Sequence, residues 1–419
     1  MNFFKVLSLF LLINYTVSFA QQTSFSLSEC IDLTLKNSYL LQYNKELTHT
    51  AEYKEKESHS DYYPHIYGEL SHNQLFYPTG NYNQQNINAV FDWSMGSLIT
   101  KTAQADAKEV EALKKESIQT SLEVVRYTSN IYLGILKYQQ EQRLVSERLR
   151  IIKKHLQVVE ALWNGGVKTE FDVLQTKSAI NLLQEKKIIL DAEIDILQSA
   201  LTKLMNMPAG SYLILRDFPE NIIEKPLGFS DDFITMNPKV QALELRAEQQ
   251  SLKIKSISAS NIPHITALGG YAVDADPTAE GNYWQVGIGL RLPLYRWNKT
   301  TYQKQTLQIM SQALKYKNLE LKRDLHIKQK QIEKRLNNLK AVYKIQQERE
   351  QLTHKAVEIA TVNYQAGLIT NLEYLNAEKV NVISKIALNE TRLSYVQQLI
   401  ENYLIGNQIE KIKQLQGVE

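Results

Sequence analysis

The sequence predicts an internally duplicated, mainly α chain of very long coiled-coil helices that carries a small β part of four strands. Three observations support this. Two anchors recur in the same order in each half: Tyr63-Pro64-His65-Ile66 is answered by Ile262-Pro263-His264-Ile265, and Trp163-Asn164-Gly165-Gly166-Val167-Lys168-Thr169 by Tyr364-Gln365-Ala366-Gly367-Leu368-Ile369-Thr370. Such anchors at nearly equal offsets mark a repeated structural unit. Residues 98–163 hold no proline and a single glycine, Gly134, and residues 298–364 hold neither. At 1.5 Å per residue each run spans about 100 Å as a helix. Between each proline anchor and its long helix lie two stretches of strand-like alternation.

Taken in chain order, Met1 to Lys5 is a short basic start, Val6 to Ile13 an apolar stretch, and Val17-Ser18-Phe19-Ala20 a small-residue cleavage site. This is the pattern of a secretory signal over residues 1–20, and the apolar stretch is shorter than a bilayer span; a retained anchor is the competing reading. Residues 21–207 form the first repeat (helix, strand hairpin, long helix, turn, helix), beginning with one helix expected over 28–61. The single cysteine, Cys30, lies in that helical pattern beside Ile31, Leu33 and Leu35 and reads as a small buried apolar residue. Residues 208–237 contain Pro208, Gly210, Pro219, Pro226 and Gly228 before Pro238, and read as an irregular linker. Residues 238–406 form the second repeat, and 407–419 a tail.

No segment after the signal is apolar for long enough to be a transmembrane helix, so any membrane part must be made of strands. The last strand alternates most cleanly. Trp284, Val286, Ile288, Leu290, Leu292 and Leu294 fall on one face, and Tyr283, Gln285, Gly287, Gly289 and Arg291 on the other. The counterpart in the first half places Ile87, Ala89, Phe91 and Trp93 against Asn88, Asp92 and Ser94, with Val90 out of pattern; 66–76 alternates poorly and rests on the repeat. Polar links at 78–85 and 274–282 would close the two hairpins. Trp93, Tyr295 and Trp297 at one end of the strands, with Tyr62 and Tyr63, and Tyr283 and Trp284 at the other, with Phe76, Tyr77 and Tyr82, suit membrane-interface girdles. A soluble sandwich face is the alternative. Four strands cannot close a membrane barrel, and an open edge in lipid leaves backbone groups unpaired, so subunits must pool strands.

The long helices carry apolar residues at alternating spacings of four and three, as in Leu149, Ile152, Leu156, Val159 and in Ile332, Leu336, Leu339, Tyr343, with polar residues between. That is a coiled-coil seam. Gly166 and Gly367 are expected to take positive φ where each helix reverses. Thr169-x-x-Asp172 and Thr370-x-x-Glu373 read as capping boxes that start the returning helices.

This order of elements resembles the TolC-like outer-membrane efflux proteins. The likeness rests on the duplicated plan, on the opening 26–37 (Ser26-Leu27-Ser28-Glu29-Cys30-Ile31-Asp32-Leu33-Thr34-Leu35-Lys36-Asn37), and on the paired aromatic-x-x-Gly turns. The resemblance implies a homotrimer whose subunits share a 12-stranded transmembrane β-barrel and an α-barrel crossing the periplasm. It implies as partners outer-membrane lipid, a periplasmic membrane-fusion adaptor and an inner-membrane pump, whose class (RND, ABC or MFS) the sequence does not set. Residues 208–237 would then be an equatorial belt and 407–419 a periplasmic tail. It further implies that Glu373, Asn376, Asp172 and Gln175 border the pore entrance, with Ile369 where a basic residue is usual. Gly166, Val167, Thr169, Gly367, Leu368 and Thr370 would form the helix-tip turns and adaptor-docking surface.

The function expected from the resemblance is an outer-membrane channel for exporting small toxic molecules. The outlet of a type I protein-secretion system is the near alternative, and an exported coiled-coil structural or adaptor protein the alternative from another class. With no phosphate loop, no metal spacing among the 8 histidines and no nucleophile motif, the chain reads as a non-enzyme without cofactor or metal. A formal charge of +3, counting Lys5, gives no sign of nucleic acid as a partner.

Overall fold

The computed structural model describes residues 24–78, 80–208, 210–224, 232–274 and 281–417. The expected signal segment, Pro226 and Gly228 of the linker, and most of the second hairpin link lie outside them. The first repeat runs α1 (Leu27–Asn37), α2 (Tyr39–Ser60), β1 (His65–Tyr77), β2 (Gly80–Ser94), α3 (Thr102–Asn164) and α4 (Glu170–Leu204). After α5 (Phe233–Met236) in the linker, the second runs α6 (Pro238–Ile257), β3 (His264–Asp274), β4 (Tyr283–Arg291), α7 (Lys299–Gln365) and α8 (Asn371–Ile405), followed by α9 (Ile409–Lys413).

The duplication extends into the hydrogen bonds. Asn37 donates from Nδ2 to the Met205 carbonyl at 2.8 Å, and Asn237 to the Ile405 carbonyl at 3.2 Å. Each closes the C-terminal end of the returning helix, where orphan carbonyls need donors. Just beyond, Asn206 and Asn407 both turn the chain at positive φ, 56° and 55°. Asparagine tolerates that region because its side chain can bond locally.

One expected element divides. The helix expected over 28–61 breaks at Ser38, whose extended backbone (φ −69°, ψ 112°) ends α1 while its hydroxyl caps α2. Serine competes for backbone donors in this way, which an apolar-periodicity reading does not register.

The long helices pack through the expected seams. Ile152 and Val159 are fully buried with Leu149 and Leu156 beside them, against Val173, Ile180 and Leu183 of α4. Ile332 and Leu336 join a second cluster at mid-length with Leu393, Val396, Leu399 and Ile400 of α8. Glu401 of α8 clamps two helices there, accepting from Arg126 of α3 at 2.7 Å and Lys328 of α7 at 2.8 Å.

The linker and tail are tied to this belt. Phe25 bridges Leu215 in parallel, and Arg392 of α8 donates to the Phe218 carbonyl at 2.9 Å and to Asp217 Oδ2 at 2.7 Å. In the tail, Ile412 and Leu415 enter the mid-length core. Gln416 accepts from the Leu27 amide at 2.7 Å and donates to the Tyr132 hydroxyl at 3.0 Å. The tail is a structural part of the belt.

The four strands form one antiparallel sheet in the order β1-β2-β3-β4. β1 exists despite its poor alternation because it pairs with β2 over its whole length, from His65↔Asp92 to Tyr77↔Gly80. That register corrects the link expected over 78–85: residues 81–85 are strand, opposite Phe76 to His72. Among the described residues no helix is long and apolar enough to cross a membrane.

Candidate functional site

Two regions carry the candidate residues: the sheet at one end and the helical tips at the other. In an antiparallel sheet, residues directly opposite share a face. The register therefore composes rows of neighbours on one face: Ile66, Phe91, Ala267, Ile288; then Gly68, Ala89, Gly269, Val286; then Leu70, Ile87, Tyr271, Trp284. These side chains point away from the molecule, with Val286 88% and Ile288 85% exposed. The other face carries Glu69, Asn88, Gly270 and Gln285 in one row and Ser71, Asn86, Ala272 and Tyr283 in the next. Its Val90 and Ala272 are buried, so this is the sheltered side of the sheet. An apolar band outside and an inner face that is polar apart from the row Tyr67, Val90, Leu268 and Gly287 fits the pattern of a membrane barrel wall.

The aromatic residues fall unevenly on this frame. Trp93 lies on the apolar face opposite Ile265 and donates from Nε1 to the Tyr62 carbonyl at 3.2 Å. Tyr295 and Trp297 are exposed and meet edge to face at 4.7 Å, and Trp284 packs on Tyr271 at 5.1 Å. Tyr283 lies on the sheltered face, as its alternation predicts, and its hydroxyl accepts from Gln84 at 3.2 Å, which sets it apart from the girdle expected with Trp284. Successive strand residues face opposite ways, so Tyr283 and Trp284 cannot both border lipid. Trp284 also shares its row with Leu70, not with Phe76, which lies further out on the first hairpin.

At the tips, Gly166 and Gly367 take φ of +75° and +73° and a Cβ on either would meet nothing within 4 Å, so backbone conformation alone calls for glycine. The capping boxes form in full. Asp172 accepts from the Thr169 amide at 3.1 Å and hydroxyl at 2.9 Å, and Glu373 from the Thr370 amide at 2.7 Å and hydroxyl at 2.9 Å. The Thr370 backbone donor holds the Glu373 carboxyl below its ordinary value, so it is charged at neutral pH.

The four candidate entrance residues separate into two pairs. Asp172 and Glu373 are committed to their caps, whereas Gln175 and Asn376 line one groove of about 620 Å³ between α4 and α8, with Val145, Leu182 and Ile383 among its walls. At the ends of the hairpins Val167 and Leu368 are exposed, and the structure adds Phe171 and Leu372, also exposed, to this apolar surface. The repeat could have revealed that second pair, since each stands two residues past its N-cap threonine.

Behind the tips lies a buried network absent from the sequence reading. His155 of α3 is 7% exposed and bonds through Nε2 to Asn371 Oδ1 of α8 at 2.8 Å, while Asn371 Nδ2 donates to the Asp172 carbonyl and to Thr176 Oγ1 of α4, both at 3.1 Å. A carbonyl can only accept, which fixes the amide orientation and makes His155 Nε2 the donor. The ring packs against Tyr374 at 4.2 Å and Tyr364 at 4.7 Å, and Lys168 lies over Tyr364 at 4.9 Å. Burial pushes the Tyr374 hydroxyl up to about 12 and the His155 imidazole down. Nearby, burial raises the Glu378 carboxyl, opposed by Arg148.

Comparison with known proteins adds what geometry cannot. A protein-family model described as outer membrane efflux protein matches residues 230–403, the end of the linker and nearly all of the second repeat. Through that repeat the chain is similar to the outer-membrane efflux proteins. The match places the chain in the outer membrane. Among curated relatives, the pyoverdine export outer membrane protein OpmQ of Pseudomonas aeruginosa is 21% identical over 310 residues, covering 71% of this chain and 64% of OpmQ. The match thus spans less than two thirds of that relative. Among solved structures, CusC superposes with a TM-score of 0.79 at 16% identity, covering 91% of this chain and 92% of CusC. The CmeC outer membrane channel of Campylobacter jejuni gives 0.76 at 16% identity, covering 93% and 89%. These likenesses establish the shared fold. Among the described residues no group of His, Cys, Asp or Glu side chains is placed to hold a metal ion.

Proposed function

We propose that this chain is the outer-membrane duct of an export system, formed by three copies that pool their strands into a 12-stranded barrel and their helices into a periplasmic tube. The observation that carries this reading is the sheet register, which yields an outward apolar band over a mostly polar inner face and leaves β1 and β4 as open edges. Open edges in lipid are untenable, so β4 of one copy pairs with β1 of the next. The helices need the same neighbour: α7 exposes Ile309, Tyr316, Ile345, Leu352 and Ile359 along its length, a second apolar seam left uncovered among the described residues of the subunit.

Cargo passes from an inner-membrane pump through a periplasmic adaptor that meets the exposed tip residues Val167, Phe171, Leu368 and Leu372. The export of pyoverdine named for OpmQ is the reason small-molecule cargo leads over protein secretion. The duct itself performs no catalysis. Glu373, charged and at the tip, supplies three carboxylates at the entrance and so a preference for cations; its cap is a second role of the same group. Extraction and mass test the assembly directly. Membranes should release the protein to detergent and not to salt, and native mass spectrometry should give the trimer; a salt-extracted monomer would instead support a coiled-coil spacer.

A further inference from the structure

We propose that the His155–Asn371 bond is an acid-sensitive latch: it holds the two helical hairpins of one subunit together behind the tip and lets them part when the imidazole takes up a second proton. The inference rests on reading the tips as the mobile entrance of a duct.

Three features single out this contact. It joins the repeats, since His155 lies on α3 while Asn371 begins α8, and Asn371 then reaches α4 through Thr176 and the Asp172 carbonyl. It is fully enclosed, with Asn371 and Thr176 at 0% exposure. It is also asymmetric: the first-repeat residue in the place of Asn371 is Glu170, which follows Thr169 as Asn371 follows Thr370 and is exposed. The network is therefore peculiar to this one seam and is not a by-product of the duplication.

The surroundings accept a neutral imidazole and offer a charged one little. Facing the ring are Tyr374 from α8 and Tyr364 from α7, with Lys168 of the α3–α4 turn across Tyr364. Asp172 of α4 presents its carbonyl to Asn371 while its carboxylate caps Thr169, and Glu378 lies behind Tyr374 under the influence of Arg148. Among the described residues no carboxylate is placed to neutralise a cation at the ring. The bond to Asn371 favours the charged form, but burial is the larger effect and Lys168 adds to it. A second proton, on Nδ1, finds an acceptor and hydration only if the ring leaves the cluster.

The sign follows from linkage. The packed tip binds fewer protons at His155 than the parted tip, in which the imidazole would have its ordinary value of about 6.5. Packing is therefore fully favoured above that value and weakens as pH falls through it.

The test places spin labels at Val167→Cys and Leu368→Cys in the full-length trimer and follows their separation from neutral pH to about 5, above the ordinary carboxylate range. The wild-type background should lengthen on acidification with a midpoint below about 6.5. His155→Gln, which keeps a side-chain N–H donor and cannot titrate here, should hold the short distance throughout, and Asn371→Ala should be long already at neutral pH. An unchanged distance in the wild-type background, or equal lengthening in His155→Gln, overturns the latch. Should His155→Gln fail to assemble, an Asn371→Ala distance equal to the wild type's at neutral pH overturns it as well. The distance is read without current. Lengthening in a protein that passes no ions supports the latch and counts against the duct, while ion flow with an invariant distance overturns the latch alone.

Discussion

Gln285 of β4 donates from Nε2 to Asn88 Oδ1 of β2 at 2.6 Å, reaching across the strand between them over Gly270. A Cβ on Gly270 would stand 2.0 Å from that same Oδ1 and 2.5 Å from the Ile87 carbonyl. The glycine is there to let a polar side chain bridge three strands on the inner face. Gly270→Ala should cost about 1–3 kcal/mol, the usual range for overpacking. The check is the detergent-resistant trimer fraction on heating: Gly270→Ala should lose it at lower temperature, whereas Gly269→Ala, with open space around it, should not.

The two tip glycines make a conformational prediction. Gly367→Ala should cost about 1–2 kcal/mol from the left-handed backbone alone, and Gly367→Asn much less. Because the turn lies at the far end of a long hairpin, the loss should appear as faster amide exchange around residues 363–368 with little change at the mid-length core. Gly166 should behave in the same way.

Arg392 is the strap that holds the linker on α8. It is buried and makes both of its bonds to Asp217 and Phe218, so Arg392→Ala leaves a buried carbonyl and a half-exposed carboxylate without their donor. The expected loss is about 2 kcal/mol, in the range for hydrogen bonds to charged groups. Limited proteolysis should then cut within 208–224 before the long helices, and the order of cleavage is the readout.

Cys30 should be inert in the folded protein. It is fully buried beside Leu27 and Ile31, and burial pushes its thiol up to about 12. A maleimide at mildly alkaline pH should leave it unlabelled in detergent and label it fully once denatured, since the thiolate is the reactive form. Rapid labelling of the native protein would show that α1 leaves the core.

Much of this architecture was legible because it is local. The tip turns declare themselves through glycine at a left-handed position and a threonine cap three residues before a carboxylate, and β4 through strict alternation. β1 was legible only through the repeat: its residues 71–74 are Ser-His-Asn-Gln, and pairing with β2 makes them strand. Alternation already puts Tyr283 and Trp284 on opposite faces, so only Trp284 suits a girdle toward lipid. The His155 network lay beyond reach for a different reason. His155 and Asn371 stand 216 residues apart, and only the packing of α3 against α8 brings them within 2.8 Å. Long-range polar contacts of this kind leave no period in a sequence.

The electrical behaviour of the detergent-purified trimer in a planar bilayer tests the central claim most directly, recorded at neutral and mildly acid pH with and without a trivalent cation on the periplasmic side. A duct predicts discrete unit conductances, cation preference and trivalent block, with preference and block weakened in Glu373→Ala. Folded trimers that insert and pass no current at either pH would contradict it.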